Sequence, residues 1–194
     1  MTARTHTVGG YVAGAGTLLL LNKAGLTEEQ GPIIELITTA LALYTAATSA
    51  ILSDVDDIRS RAGRKLLIIS VPFMLLRFAG KITGSQWFKH RGLTHYLVTW
   101  LTISAVITIP CITGLTIGNL LIRIIAKALF FSPIGYLSHI LLDLLSGKIK
   151  LLYPIFKKSI GICLFPRNSI REHLLCGVLS IVSISLTAKI FSII

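Results

Sequence analysis

The chain has 194 residues, of which 53% are hydrophobic and only 14% charged, and its mean hydropathy is +0.79. That balance excludes an ordinary soluble domain and places the chain among membrane proteins. The net charge of +11 invites a nucleic-acid reading, but the basic residues follow no single amphipathic face and no nucleic-acid motif. They cluster between apolar stretches, as the positive-inside bias produces, with anionic lipid headgroups as the nearest partner.

In chain order, residues 5–22 form the first charge-free stretch. His6 and the glycines at 9, 10, 14 and 16 interrupt it, and no small-residue cleavage motif follows, so it reads as part of the mature protein. Residues 36–53, 96–122 and 174–188 are likewise free of charge, and roughly 20 apolar residues span a bilayer core. Residues 128–142 are apolar except for His139 and lead straight to Asp143, a fifth span that carries polar groups. Residues 66–80, "LLIISVPFMLLRFAG", are short for a crossing and contain Pro72 and Arg77, which predicts an interfacial or re-entrant hairpin. The expected fold is all-α: a polytopic helical membrane bundle in a single domain over residues 1–194, with about five spans plus one re-entrant or interfacial helical segment. Cys111, Cys163 and Cys176 form neither a CxxC nor an even set, and read as packing residues.

Charge asymmetry sets an orientation. With Arg4 in the cytoplasm, only Lys23, Arg123, Lys127 and Lys189 of the 19 basic residues fall on the outer side. His6, Asp54, Asp56, Asp57, His90, His95, His139, Asp143 and His173 then all come to the cytoplasmic ends of their spans.

These residues are metal-ligand types. His139 and Asp143 are four apart, so on a helix they differ by about 40° and their Cβ atoms lie within roughly 6 Å. Both can ligate one ion, or they can form a His–Asp hydrogen bond that locks two helices together. "SDVDD" supplies three carboxylates, Asp54, Asp56 and Asp57, at the end of the second span, hard ligands for a divalent ion; alternatively the turn caps a following helix, Asp57 above all. His90 and His95 share no helical face, but Gly92 can break the helix and Thr94 can cap a new one, which brings them together. Arg91 between them offers a bidentate cation for a phosphate or a developing oxyanion. Lys157, Lys158 and Arg171 are further candidates for holding an anionic headgroup. Together D-x-D-D, H-x4-H and H-x3-D supply enough ligands for a two-metal site.

The motifs "HRGLTH" at 90–95 and "GYLSHILLD" at 135–143, with His6 before them, Asp54 and Asp56 between, and Tyr153–Pro154 after, resemble the YdjM-type family, described as membrane-bound metal-dependent hydrolases. Ser53 stands where the family pattern has Pro, and Tyr96 where it has Ser. The resemblance covers residues 6 to about 154 and implies a hydrolase with a di-metal site. The expected activity is cleavage of an ester or phosphoester in a lipid-like substrate by metal-activated water at the cytoplasmic face of the inner membrane. The ligands are expected to be His6, Asp54, Asp56, His90, His95, His139 and Asp143, holding two ions of Zn, Mn or Mg, with Asp57 and Arg91 in catalytic roles. The alternative is a divalent-metal-binding membrane protein or transporter without hydrolysis; membrane lipids are the expected partners in either case, with no nucleic acid.

Overall fold

The computed structural model describes residues 1–26, 31–83 and 92–193. It is built of helices: α1 (Ala3–Lys23), α2 (Pro32–Ser49), α3 (Arg61–Lys65), α4 (Leu67–Thr83), α5 (Leu97–Thr116), α6 (Leu120–Phe130), α7 (Ser132–Ser146) and α8 (Ile170–Phe191). Two 3-10 turns, Leu52–Asp56 and Leu93–His95, follow α2 and precede α5. Among the described residues the only β-type pairing is an isolated bridge between Ile149 and Ile160.

Four helical runs are long and apolar enough to cross a membrane: Pro32–Ser49, Leu97–Thr116, Leu120–Ser146 and Ile170–Phe191. α1 matches them in length, with 21 residues, but it is less apolar because it faces protein rather than lipid, packing on α2, α7 and α8. The expected span over 96–122 ends earlier than its charge-free run. It stops at Thr116, and Asn119 then accepts Leu121 N at 3.0 Å and Ile122 N at 3.2 Å, an N-cap that starts α6. α6 and α7 then return as one run, broken only at Phe131.

Residues 66–80 differ from the expected hairpin. From Leu67 on they belong to one helix, α4, which carries Pro72 and rests on α3 and the first 3-10 turn. Ile68, Leu75, Phe78 and Ile82 are exposed, an apolar surface suited to lipid.

Close packing comes from small residues, as is usual where lipid and helix surfaces are equally apolar. Three helices meet at Ala46 of α2. A Cβ on Gly10 would stand 2.6 Å from the Ala46 carbonyl oxygen, and one on Gly135 would overlap that oxygen outright. One helical turn from this junction, α1 presents His6, α2 ends at Ala50 and α7 presents His139. Further into the bundle the core is apolar, with Ala15, Leu18, Ala42, Leu43 and Phe131 buried. Beyond it, near the opposite end, Lys127 of α6 pairs with Glu35 of α2 at 3.0 Å.

Candidate metal centre

Five side chains with ligand atoms converge where α1, α2, α5 and α7 end together. His6 comes from the second turn of α1, Asp54 from the turn after α2, His95 from the turn before α5, and His139 and Asp143 from successive turns of α7. His6, His95, His139 and Asp143 are buried, and Asp54 is half-buried. The Nε2 atoms of His95 and His139 lie 3.2 Å apart. Asp143 reaches His6 and His95 at 3.4 Å and His139 at 3.7 Å. Asp54 Oδ1 lies 3.7 Å from His139 Nε2 and 3.8 Å from His95 Nε2.

Two trios, His6–His139–Asp143 and Asp54–His95–His139, have their ligand atoms within 4.8 Å of one another. Nitrogen-to-oxygen hydrogen bonds cluster at about 2.9–3.0 Å, so the His–Asp separations here are long for direct bonding. A tetrahedral ion with bonds of about 2.1 Å sets its ligands about 3.4 Å apart, which is the spacing of this cluster.

The tautomer of His139 also fits an ion. Its Nδ1 lies 2.6 Å from the carbonyl oxygen of Ala50. A carbonyl only accepts, so Nδ1 carries a proton, and in the neutral ring Nε2 then presents a lone pair to the cluster, the arrangement typical of a ligating histidine. That lone pair faces the carboxylates of Asp54 and Asp143, and Asp143 also meets the Met1 ammonium at 3.3 Å. His95 is held from behind as well, with Thr94 Oγ1 3.0 Å from its Nδ1. The Thr94 carbonyl in turn accepts from Tyr136. Thr94 therefore orients a histidine, where the sequence predicted a cap; α5 starts after Tyr96 with no side-chain cap. The His6 ring stacks on His139 with centroids 3.7 Å apart, and His6 Nδ1 is buried without a hydrogen-bond partner among the described residues.

The 3-10 geometry sorts the acidic motif. In such a turn side chains three apart eclipse, so Asp54 and Asp57 share a side, and both line a pocket of about 600 Å³ over the cluster. Asp56 is buried and lies outside both trios. Asp57 caps no helix; its Oδ1 accepts from Arg59 N at 3.0 Å, and α3 is capped instead by Ser60. His90 and Arg91 lie outside the described residues. His173 is exposed and donates to the Ser169 carbonyl at 2.8 Å, apart from the cluster. Lys157, Lys158 and Arg171 do not line this pocket; its cationic side chains are Arg59, Arg61 and Arg167.

Tyr96, at the position of the family's Ser, is buried against Tyr153. Burial first, and Tyr153 second, push its phenol up to about 12, so it serves as a neutral packing group.

A family model described as YdjM inner membrane protein matches residues 1–192. The chain belongs to the YdjM family. No curated protein and no solved structure matches it. For this YdjM protein the family and the apolar helices together make an integral inner-membrane bundle.

One residue at this end of the YdjM bundle escaped the sequence reading. Glu172 is buried at the start of α8 and accepts from Thr2 N, from Thr5 Oγ1 at 2.9 Å and from Asn168 N at 2.6 Å. It ties the first turn of α1 to α8 and so fixes the helix that carries His6. The signal was present: "SIRE" at 169–172 is a capping box, and Ser169 Oγ does accept Glu172 N at 3.2 Å.

Proposed function

We propose that this YdjM-family protein is a metal-dependent hydrolase that cleaves an ester or phosphoester of an amphiphilic substrate at the cytoplasmic face of the inner membrane. The observation that carries the reading is the convergence of imidazole and carboxylate groups, with the lone pair of His139 aimed among them, directly beneath a pocket. His95, His139, Asp54 and Asp143 would hold the ion, and this mixed nitrogen and oxygen set favours Zn or Mn over Mg. His139 Nε2 has one lone pair, so it can serve only one of the two trios. A second ion would draw on His6 and Asp143 with further ligands, for which the resemblance offers His90. When bound, such an ion supplies Lewis acidity and brings the pKa of coordinated water to about 7.

The chain's own residues supply the remainder. The Ala50 carbonyl and Thr94 hydroxyl fix the two imidazole rings, so orientation is set before substrate arrives. Asp57 lines the pocket with Oδ2 free of any hydrogen bond among the described residues, and is the proton acceptor of this reading. Arg91, by the resemblance, would stabilise the developing negative charge. Among the described residues the core between the cluster and the Lys127–Glu35 pair is mainly apolar, with Thr38 and Thr39 its buried polar groups on α2, which favours hydrolysis over transport.

The test is metal content together with turnover. Purified protein should retain divalent metal and release product from a panel of ester and phosphoester lipids, and His139→Ala and Asp54→Ala should lose both. Metal uptake into proteoliposomes without turnover of any panel member would overturn the hydrolase in favour of a transporter.

A further inference from the structure

The pocket is lined by Arg59, Arg61 and Arg167, all exposed, together with the more buried His6, Asp54 and Asp143. Both segments that carry these arginines are anchored. Ser60, between the first two arginines, donates from Oγ to the Asp54 carbonyl at 2.7 Å and accepts Gly63 N at 2.8 Å. Arg167 sits in the loop whose end is held by Asn168 N on Glu172, and the same loop is pinned under α7 by Ile162 N on the Leu144 carbonyl at 2.9 Å and Phe165 N on the Leu145 carbonyl at 3.1 Å. None of the three guanidinium groups forms an ion pair among the described residues.

The charge balance says what is missing. The described lining holds three carboxylates, from Asp54, Asp57 and Asp143, against three guanidinium groups and the Met1 ammonium, which meets Asp143 at 3.3 Å, an excess of one positive charge. A bound divalent ion raises that excess to about +3. A neutral acyl ester brings nothing to meet that charge, whereas a phosphomonoester dianion offsets most of it, and its oxygens suit the planar forks of arginine.

We infer that Arg59, Arg61 and Arg167 form the subsite for the phosphate of a phosphomonoester, whose scissile group then lies over the His–Asp cluster. This rests on the hydrolase reading and narrows it to phosphomonoesters. In the reaction water forms the new bond to phosphorus, the bond from phosphorus to the alcohol oxygen breaks, and a proton passes from the water to the departing alcohol, leaving inorganic phosphate. The phosphate can belong to a lipid headgroup or to a soluble phosphomonoester.

Binding, measured apart from turnover, tests the subsite. Detergent-solubilised, metal-loaded full-length protein is titrated with inorganic phosphate by calorimetry, with metal content followed in parallel. Arg59→Gln combined with Arg61→Gln, and Arg167→Gln alone, should each weaken phosphate binding at least about tenfold with metal content unchanged, in line with the loss of charge-assisted bonds. Arg171→Gln removes the same charge outside the pocket and should change binding less than about twofold. Competition by phosphatidic acid in phosphatidylcholine vesicles, but not by glycerol phosphate, would assign the lipid source, and the reverse would assign the soluble one; competition by neither would overturn the subsite. Equal phosphate binding by all variants would also overturn it. Wild-type turnover of a neutral ester without phosphate binding would sink the subsite and keep the hydrolase, while rim-dependent phosphate binding without any turnover would keep the subsite and sink the hydrolase.

Discussion

Substituting Gly135 by Ala tests how the junction at Ala46 controls the cluster. The new Cβ would overlap the Ala46 carbonyl oxygen and stand 2.7 Å from its carbon, whereas carbons in contact sit at about 3.5–4.0 Å. α7 must therefore retreat by about 0.8 Å or more. His139 lies one turn along the same helix, and its Nδ1 contact with Ala50 is 2.6 Å in the native arrangement; the same retreat would open that contact to about 3.4 Å, past the useful range. Metal sites tolerate ligand errors of about 0.2 Å, and losing the partner that orients a histidine weakens metal binding about 10–100-fold. Overpacking adds about 1–3 kcal/mol of destabilisation. The assay is equilibrium dialysis against buffered zinc with elemental analysis, alongside thermal unfolding in detergent. Gly16→Ala is the control, because a Cβ there meets nothing within 4 Å. If Gly135→Ala holds zinc as tightly as wild type, the close approach at Ala46 does not position His139 and the reasoning is refuted.

Thr94→Val keeps the shape but removes the hydroxyl behind His95 Nδ1, and should lower zinc affinity about 10–100-fold in the same dialysis with little change in unfolding temperature. Glu172→Ala leaves the donors of Thr2, Thr5 and Asn168 without their acceptor, which should cost at least about 1–3 kcal/mol in denaturant unfolding; Glu172→Gln, which keeps one acceptor oxygen, should recover part of that loss. Glu35→Gln breaks a partly exposed pair at the far end, so unfolding should shift by about 1 kcal/mol or less and metal content should stay at the wild-type level; a loss of metal would mean the two ends are coupled.

Much of this architecture is legible in the residues. Charge-free runs locate the membrane helices because a bilayer tolerates few unpaired charges. The spacing of His139 and Asp143 predicts their approach because helix geometry leaves little choice. Gathering the ligands at one end follows from alternating spans, which return every second helix terminus to the same side. Backbone partners are less readable: the carbonyl of Ala50 orients His139, yet an alanine in the sequence carries no sign of that role. The acidic motif is only partly readable for a related reason: three carboxylates stand close in sequence, but the shape of the turn decides that Asp54 and Asp57 line the pocket while Asp56 lies outside both trios. Glu172 needs both its capping box and the tertiary contact with Thr2 and Thr5, and only the first can be read locally. α4 looked like a hairpin because length and a proline were weighed without its packing on α3.

The clustering of His6 with Asp143 has a consequence for biogenesis. The first of these residues leaves the ribosome long before the second, and every helix between them must be inserted before they can meet. A nascent chain therefore holds no complete coordination shell, and on the metal-site reading any ion would load after insertion. Chelation during synthesis should then yield inserted, empty protein that takes up the ion later, rather than chains that fail to enter the bilayer.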